Sequence, residues 1–147
     1  MEKPTQTTLI LGNKFSDIAC SLIASATQTI RIIVYDWRFG TGSGDRYLTQ
    51  FNHEIKMAIK RGVQIRAIVN QRIIVSQLRN INVKAKFLNT TKTVHAKVLL
   101  IDDVFLITGS HNYTFSAFNQ NLEVSVLLQL DNSDNELVKF FDNLWGI

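Results

Sequence analysis

TVHAKVLLIDDVFLITGSHN, residues 93–112, decides the reading of this chain. A leucine-rich, β-branched run carries a histidine and a lysine two apart, His95 and Lys97, both costly to bury among apolar neighbours. The hydrophobic segments 94–101 and 104–108 flank Asp102 and Asp103, a spacing that predicts two antiparallel strands joined by a two-residue turn. Residues two apart on a strand share a face, so His95 and Lys97 point the same way. With the aspartates as the turn, Ile101 opposes Val104, Lys97 opposes Thr108 and His95 opposes Ser110, and Asn112 follows with the same parity. The hairpin then gathers an imidazole, a fixed cation and two neutral hydrogen-bonding groups at one end of one surface. That set suits a tetrahedral anion, because lysine supplies charge and asparagine an amide donor. Asp102 lies at the far end of the strand, roughly 23 Å from His95 at about 3.3 Å per residue, and is assigned to shaping the turn. Glu123 is the candidate to hold His95, since a carboxylate on one ring nitrogen fixes the tautomer and makes the other more basic.

The flanking sequence extends the fold outward. Phe15, Ile18, Ala19, Leu22 and Ile23 recur at helical spacing and predict a helix over 15–27. Ile30–Tyr35 (IRIIVY) is a β-branched, continuous run and is expected as a buried strand, and 63–69 (VQIRAIV) reads as a second one. Between them Asp45 caps a second helix with an apolar stripe of Leu48, Phe51, Ile55, Ala58 and Ile59, and Gly62 ends it. A short helix is expected over 72–80, a weak strand over 83–87 and a longer strand over 122–130. Ser133, with Glu136 three residues on, reads as the capping box of a last helix whose apolar face is Leu137, Phe140, Phe141 and Leu144. β/α units first and a hairpin later predict an α/β fold, a mixed β-sheet sandwiched by helices, as one domain over 1–147.

Composition narrows the function. The chain has 147 residues, 46% hydrophobic, with one proline, which favours a folded domain over disorder. Sixteen basic against twelve acidic residues give a net charge of +4 and a pI near 9.4, a bias that fits a polyanionic partner. Arg61, Arg66, Arg72, Arg79, Lys84, Lys86 and Lys92 crowd the middle of the chain, where they contact phosphates or simply solvate the surface. The residues assigned to substrate binding are Arg38, Lys84, Lys86 and Lys92. Cys20, the single cysteine, sits among apolar neighbours and reads as core, which suits a reducing compartment. A signal peptide and a membrane span are not expected, so the expected location is the cytoplasm. The glycine loop at 40–44 follows a strand and precedes a helix, but the dinucleotide pattern fails at Asp45 and a P-loop is excluded, leaving a loop beside the active site. Trp37, Arg38 and Phe39 before it either stack on a base or pack into the core.

HAKVLLID, residues 95–102, has the form HxKxxxxD, and GSHN (109–112) followed by NQNLE (119–123) accompanies it. Together with IRIIVYDWRF (30–39) and AIKRGVQIRAIVN (58–70), in the same order along residues 15–130, this resembles the phospholipase D superfamily. The resemblance implies a phospholipase D-like fold and a metal-independent phosphodiesterase that uses no cofactor. Many members carry the motif twice. Here it occurs once, and His53 in NHEIKMA lacks the pattern. The resemblance to small single-motif members implies a homodimer in which two motifs meet across a two-fold axis. It further implies that one His95 attacks phosphorus to give a phosphohistidine while its twin protonates the leaving oxygen and then activates water. In this reading Lys97 and Asn112 from both chains clamp the phosphoryl oxygens, Ser110 belongs to the same catalytic set, Glu123 supports the imidazole, and Asp102 is a motif member with a structural role. The implied substrate is nucleic acid, DNA first and RNA second, cut by an endonuclease. The alternatives are a phospholipid hydrolase or phosphatidyltransferase, and a non-catalytic nucleic-acid-binding module. His111, between Ser110 and Asn112, stands where many members have a small or apolar residue.

Overall fold

The apolar segments assemble into one mixed sheet. A computed structural model describes residues 4–39, 45–131 and 135–147. Its elements are β1 (Pro4–Leu11), α1 (Lys14–Ser25), β2 (Thr29–Val34), α2 (Arg46–Lys60), β3 (Gln64–Val69), α3 (Arg72–Asn80), β4 (Lys84–Lys86), β5 (Val98–Ile101), β6 (Phe105–Gly109), α4 (Phe115–Asn119), β7 (Val124–Leu130) and α5 (Glu136–Trp145). The strands lie in the order β1-β7-β6-β5-β2-β3-β4. β2, β3 and β4 are parallel, whereas β2–β5, β5–β6, β6–β7 and β7–β1 are antiparallel. The mostly apolar composition of β2 and β3, broken chiefly by Arg31 and Arg66, follows from burial on both faces. Ile32 joins Phe15, Ile23, Phe51 and Phe118 under α1, α2 and α4, while its neighbour Ile33 joins Ile68, Leu100, Leu106 and Phe141 under α5. The expected α/β sandwich is the fold observed.

Local chemistry explains most boundaries. The Asp45 carboxylate accepts from the backbone N–H groups of Tyr47 and Leu48 at 3.1 and 3.0 Å, an N-cap that fixes the start of α2. Gly62 adopts φ +91° just past its end, where a side chain would be strained. The expected cap Ser133 and the loop 40–44 lie outside the described residues. α5 begins at Glu136 with Asn135 accepting from Val138 N–H at 3.0 Å. On its face Phe141 is buried, but Phe140, expected there too, is exposed. β1 and α4 were not anticipated from the sequence. β1 buries Ile10, exposes Leu9 and Leu11 on either side of it, and pairs along one side only, at the sheet edge.

The hairpin departs from the expected register. Asp102 and Asp103 both have positive φ, 51° and 60°, and Val104 N–H donates to the Ile101 carbonyl at 3.0 Å, so the two-residue turn forms. Beyond it, however, Ile101 pairs with Phe105 and Val98 with Thr108. Val104 falls out of the ladder, and its carbonyl accepts from Leu130 N–H at 2.7 Å instead. This one-residue bulge moves every expected pair by one place. β5 therefore starts at Val98, and His95 and Lys97 precede it in an irregular segment rather than on the strand.

One half of the α5 face is left uncovered. Paired residues share a face, so Val98, Thr108, Val126 and Leu9 form one row across the sheet. Val124 and Leu11 belong to the next row. The row of Leu100, Leu106 and Leu128 on the other side packs with α5. Leu9, Leu11 and Val124 are 65%, 57% and 53% exposed, a contiguous apolar strip beside the segment that carries His95.

Candidate active site

His95 is exposed and Lys97 half-buried. The Lys97 ammonium lies 3.3 Å from His95 Nδ1 and donates to the His95 carbonyl at 2.9 Å. An ammonium has no acceptor, so Nδ1 receives and the neutral ring keeps its proton on Nε2. The Lys97 carbonyl in turn accepts from the Thr108 hydroxyl at 2.8 Å, which ties the irregular segment to β6. Burial lowers the Lys97 pKa, and the Glu123 charge opposes that shift. Tyr35, the first residue past β2, stands against both groups. Its ring centroid lies 4.9 Å from that of His95 and 5.5 Å from Lys97 Nζ. A cleft of about 530 Å³ opens here, lined by His95, Lys97, Thr108, Ser110, Val124 and Val126 among others.

Gly109 brings the second half of the site in. A Cβ at this position would overlap the Cα and Oγ of Ser125 and the carbonyl of Val124, and its φ is +154°. Only glycine lets β6 lie this close to β7. Ser110 follows, its hydroxyl donating to the Glu123 carboxylate and accepting from Val124 N–H at 3.0 Å. The other Glu123 oxygen accepts from Asn121 at 3.1 Å. The expected Glu123–His95 contact is therefore not the one formed. His95 has left the ladder, and its ring stands against Lys97 and Tyr35. Asn112 Oδ1 accepts from Asp36 N–H at 3.0 Å, which leaves its amide NH₂ as the group with which to meet an anion.

His111 has a role that the sequence did not disclose. It is 1% exposed and stacked on Phe15 with centroids 4.5 Å apart. Its Nε2 lies 2.8 Å from the Gly12 carbonyl, which only accepts, so the proton sits on Nε2. Nδ1 then accepts from the Ser125 hydroxyl at 2.7 Å. Burial lowers its pKa, partly offset by the Gly12 bond and the Glu123 charge. The ring thus pins the loop between Ser110 and Asn112 to the β1–α1 corner and to β7.

The remaining sequence candidates are spread apart. Asp102 sits past the far end of β5, and its carboxylate accepts from the N–H groups of Gln28, Thr29 and Thr27 at the start of β2. Lys84 and Lys86 lie on β4, three strands from β5, roughly 14 Å at the usual strand spacing. Lys86 is also engaged with the Trp145 carbonyl. Lys92 is exposed on the segment leading to His95. Arg38 is ion-paired to Asp36 at 2.8 Å with its side chain 59% exposed. Trp37 is fully buried and donates to Asn52 at 2.8 Å, so of the two readings for that ring the core one holds. Burial also raises the Cys20 thiol to about 11, leaving it unreactive. Among the described residues no helix is long and apolar enough to cross a membrane.

Comparison with known proteins agrees with this architecture. A model of the family described as "Cardiolipin synthase, PLD-like domain" matches residues 19–145. Nuc from Salmonella typhimurium, a phospholipase D family member, superposes with a TM-score of 0.77 at 21% identity, over 96% of this chain and 95% of that one. NucT from Helicobacter pylori gives 0.72 at 19% identity, over 96% of each chain. The phosphatidylserine synthase of Haemophilus influenzae Rd KW20 gives 0.71 at 14% identity, over 95% of this chain and 38% of that one. No curated protein matches the chain by sequence. The HxKxxxxD segment, the fold that carries it and the matching family model place this chain in the phospholipase D-like family.

Proposed function

We propose that the chain is a metal-independent phosphodiesterase, an endonuclease acting on DNA first and RNA second, that works as a homodimer through a phosphohistidine on His95. The observation that carries this reading is the cleft where His95, Lys97 and Ser110 meet beside the uncovered apolar strip. A phosphoryl anion entering there draws the Lys97 ammonium away from His95 Nδ1. Nδ1 then takes a proton from water while Nε2 gives its own up to water, and the Nε2 lone pair so exposed attacks phosphorus. The P–N bond forms as the P–O bond to the leaving group breaks, and the departing oxygen takes a proton from the imidazolium of the second copy. That ring, now neutral, removes a proton from water. The hydroxide attacks phosphorus, the P–N bond breaks, and His95 is regenerated. The two rings play different parts, one as nucleophile and the other as proton donor. Lys97 and the Asn112 amide hold the phosphoryl oxygens, Ser110 fixes Glu123 beside Lys97, and Arg38 and Lys92 are the better placed of the substrate-binding cations.

The second copy is motivated by the surface as well as by the chemistry. One chain offers one exposed imidazole at the cleft, with His111 buried and His53 on the outer surface of α2. Exposed Leu9, Leu11 and Val124 adjoin that cleft. A two-fold axis through this face covers the apolar strip of each copy with that of the other and brings the imidazoles together. The test is cleavage of labelled single- and double-stranded DNA and RNA in EDTA, with headgroup release from phospholipid vesicles run alongside. Nucleic acid cleavage that His95→Ala abolishes supports the reading. Headgroup release alone selects the lipid enzyme, and DNA or RNA binding unchanged by His95→Ala, without cleavage, selects the binding module.

A further inference from the structure

Tyr35 is an aromatic residue that the core does not use. Trp37, Phe51 and Tyr113 are at most 1% exposed, whereas Tyr35 is 36% exposed and belongs to neither hydrophobic cluster. Its ring instead lies 4.9 Å from the His95 ring, tilted by 48°, with Lys97 Nζ 5.5 Å from its centroid. His95 stands in an irregular segment before β5, so no strand ladder fixes the direction of its side chain. We infer that Tyr35 is a positioning residue, whose ring face holds the His95 imidazole at the angle needed to reach phosphorus and keeps the Lys97 ammonium beside it. This rests on the reading of His95 as the nucleophile.

The chemistry requires such a support at one moment in particular. At rest Lys97 restrains the imidazole through Nδ1, but a bound phosphoryl group takes Lys97 for itself. Tyr35 is then the contact that remains on the ring. A ring–ring and a cation–ring contact together correspond to a rate effect of roughly five- to seventy-fold. Because the support acts on the reacting group and not on the rest of the substrate, it affects kcat and leaves KM in place.

The experiment compares Tyr35→Phe, Tyr35→Leu and Tyr35→Met with the native protein and with His95→Ala, using labelled DNA in EDTA and NMR of the His95 ring protons. Tyr35→Phe is expected to stay within about twofold of the native kcat. Tyr35→Leu and Tyr35→Met are expected to lose roughly five- to seventy-fold in kcat with KM within about twofold, and the His95 ring resonances to lose the shielding of the neighbouring ring. Three results overturn the inference: an unchanged kcat in both aliphatic variants, an effect confined to KM, or equal damage in Tyr35→Phe. If the native protein and His95→Ala both leave DNA intact, the nuclease reading fails by itself. The NMR arm still decides the contact, because unchanged His95 shifts in Tyr35→Leu overturn it.

Discussion

Replacing Asp102 separates the structural half of the HxKxxxxD motif from the chemical half. Oδ1 accepts from Gln28 N–H at 2.8 Å and Thr29 N–H at 2.9 Å. Oδ2 accepts from Thr27 N–H at 2.9 Å and the Thr27 hydroxyl at 3.2 Å. One carboxylate thus anchors the connection from α1 into β2 onto the hairpin turn. Hydrogen bonds to a charged group are worth about 1.5–3 kcal/mol each when buried. Here water replaces part of each, so about 1 kcal/mol per backbone donor is the appropriate figure. Asp102→Ala should cost about 3–4 kcal/mol, including about 1 kcal/mol for placing alanine at φ +51°. Asp102→Asn keeps one oxygen and tolerates that φ, and should cost about 2 kcal/mol. In thermal melts the alanine variant should fall by roughly 10 °C, at about 2–4 °C per kcal/mol for a chain of this size. Burial alone would raise the Asp102 pKa, but the hydrogen bonds from Thr27, Thr29 and Gln28 outweigh it and hold the pKa low. The stabilisation is therefore complete above about pH 4 and is lost as pH falls through the folded-state pKa. Phosphodiesterase activity per folded molecule should stay within about threefold of native, since Asp102 touches no group at the cleft. A loss of a hundredfold or more in kcat with unchanged stability would refute this division of the motif.

Three further outcomes follow from the same contacts. Gly109→Ala forces a Cβ into the backbone of β7 and should destabilise the fold by about 3 kcal/mol or more, read by urea unfolding, with loss of activity even in the folded fraction. His111 is held neutral by burial, so stability should be constant above about pH 6.5 and decline as pH falls from there to the lowered folded-state pKa; His111→Gln should remove that part of the pH slope in denaturant titrations. Val124→Asp or Leu11→Asp, at exposed positions of the apolar strip, should leave the melting temperature of the monomer within a few degrees. On the proposed two-fold pairing through this strip, each should also yield a monomer in sedimentation and abolish cleavage.

The sequence disclosed the strands and helices whose neighbours agree with their pattern. β2 and β3 read as buried because Ile30–Val34 and Ile65–Val69 are apolar apart from Arg31 and Arg66, and Asp45 and Gly62 mark α2 because each satisfies a stated backbone need. The hairpin was half legible. Adjacent aspartates signal a two-residue turn, but no residue type marks the bulge at Val104, since what selects it is a hydrogen bond to Leu130 on another strand. His95 and Lys97 were placed side by side for a reason that does not hold, because they precede β5 instead of sharing its face. β1 was missed because Thr7, Leu9 and Leu11 build an edge strand with no apolar core of its own, and Leu9 and Leu11 face outward. His111 and Tyr35 were illegible in a deeper sense. A histidine satisfied by Gly12 and Ser125, and a tyrosine resting on His95, depend on neighbours distant along the chain.

The central claim is that His95 forms a covalent bond to phosphorus, and trapping that bond tests it most directly. Native protein mixed with end-labelled DNA in EDTA and quenched within milliseconds in alkaline denaturant should yield a nucleotide adduct that peptide mass analysis assigns to His95, absent from His95→Ala. Continued cleavage by His95→Ala, or an adduct on any other residue, would contradict it.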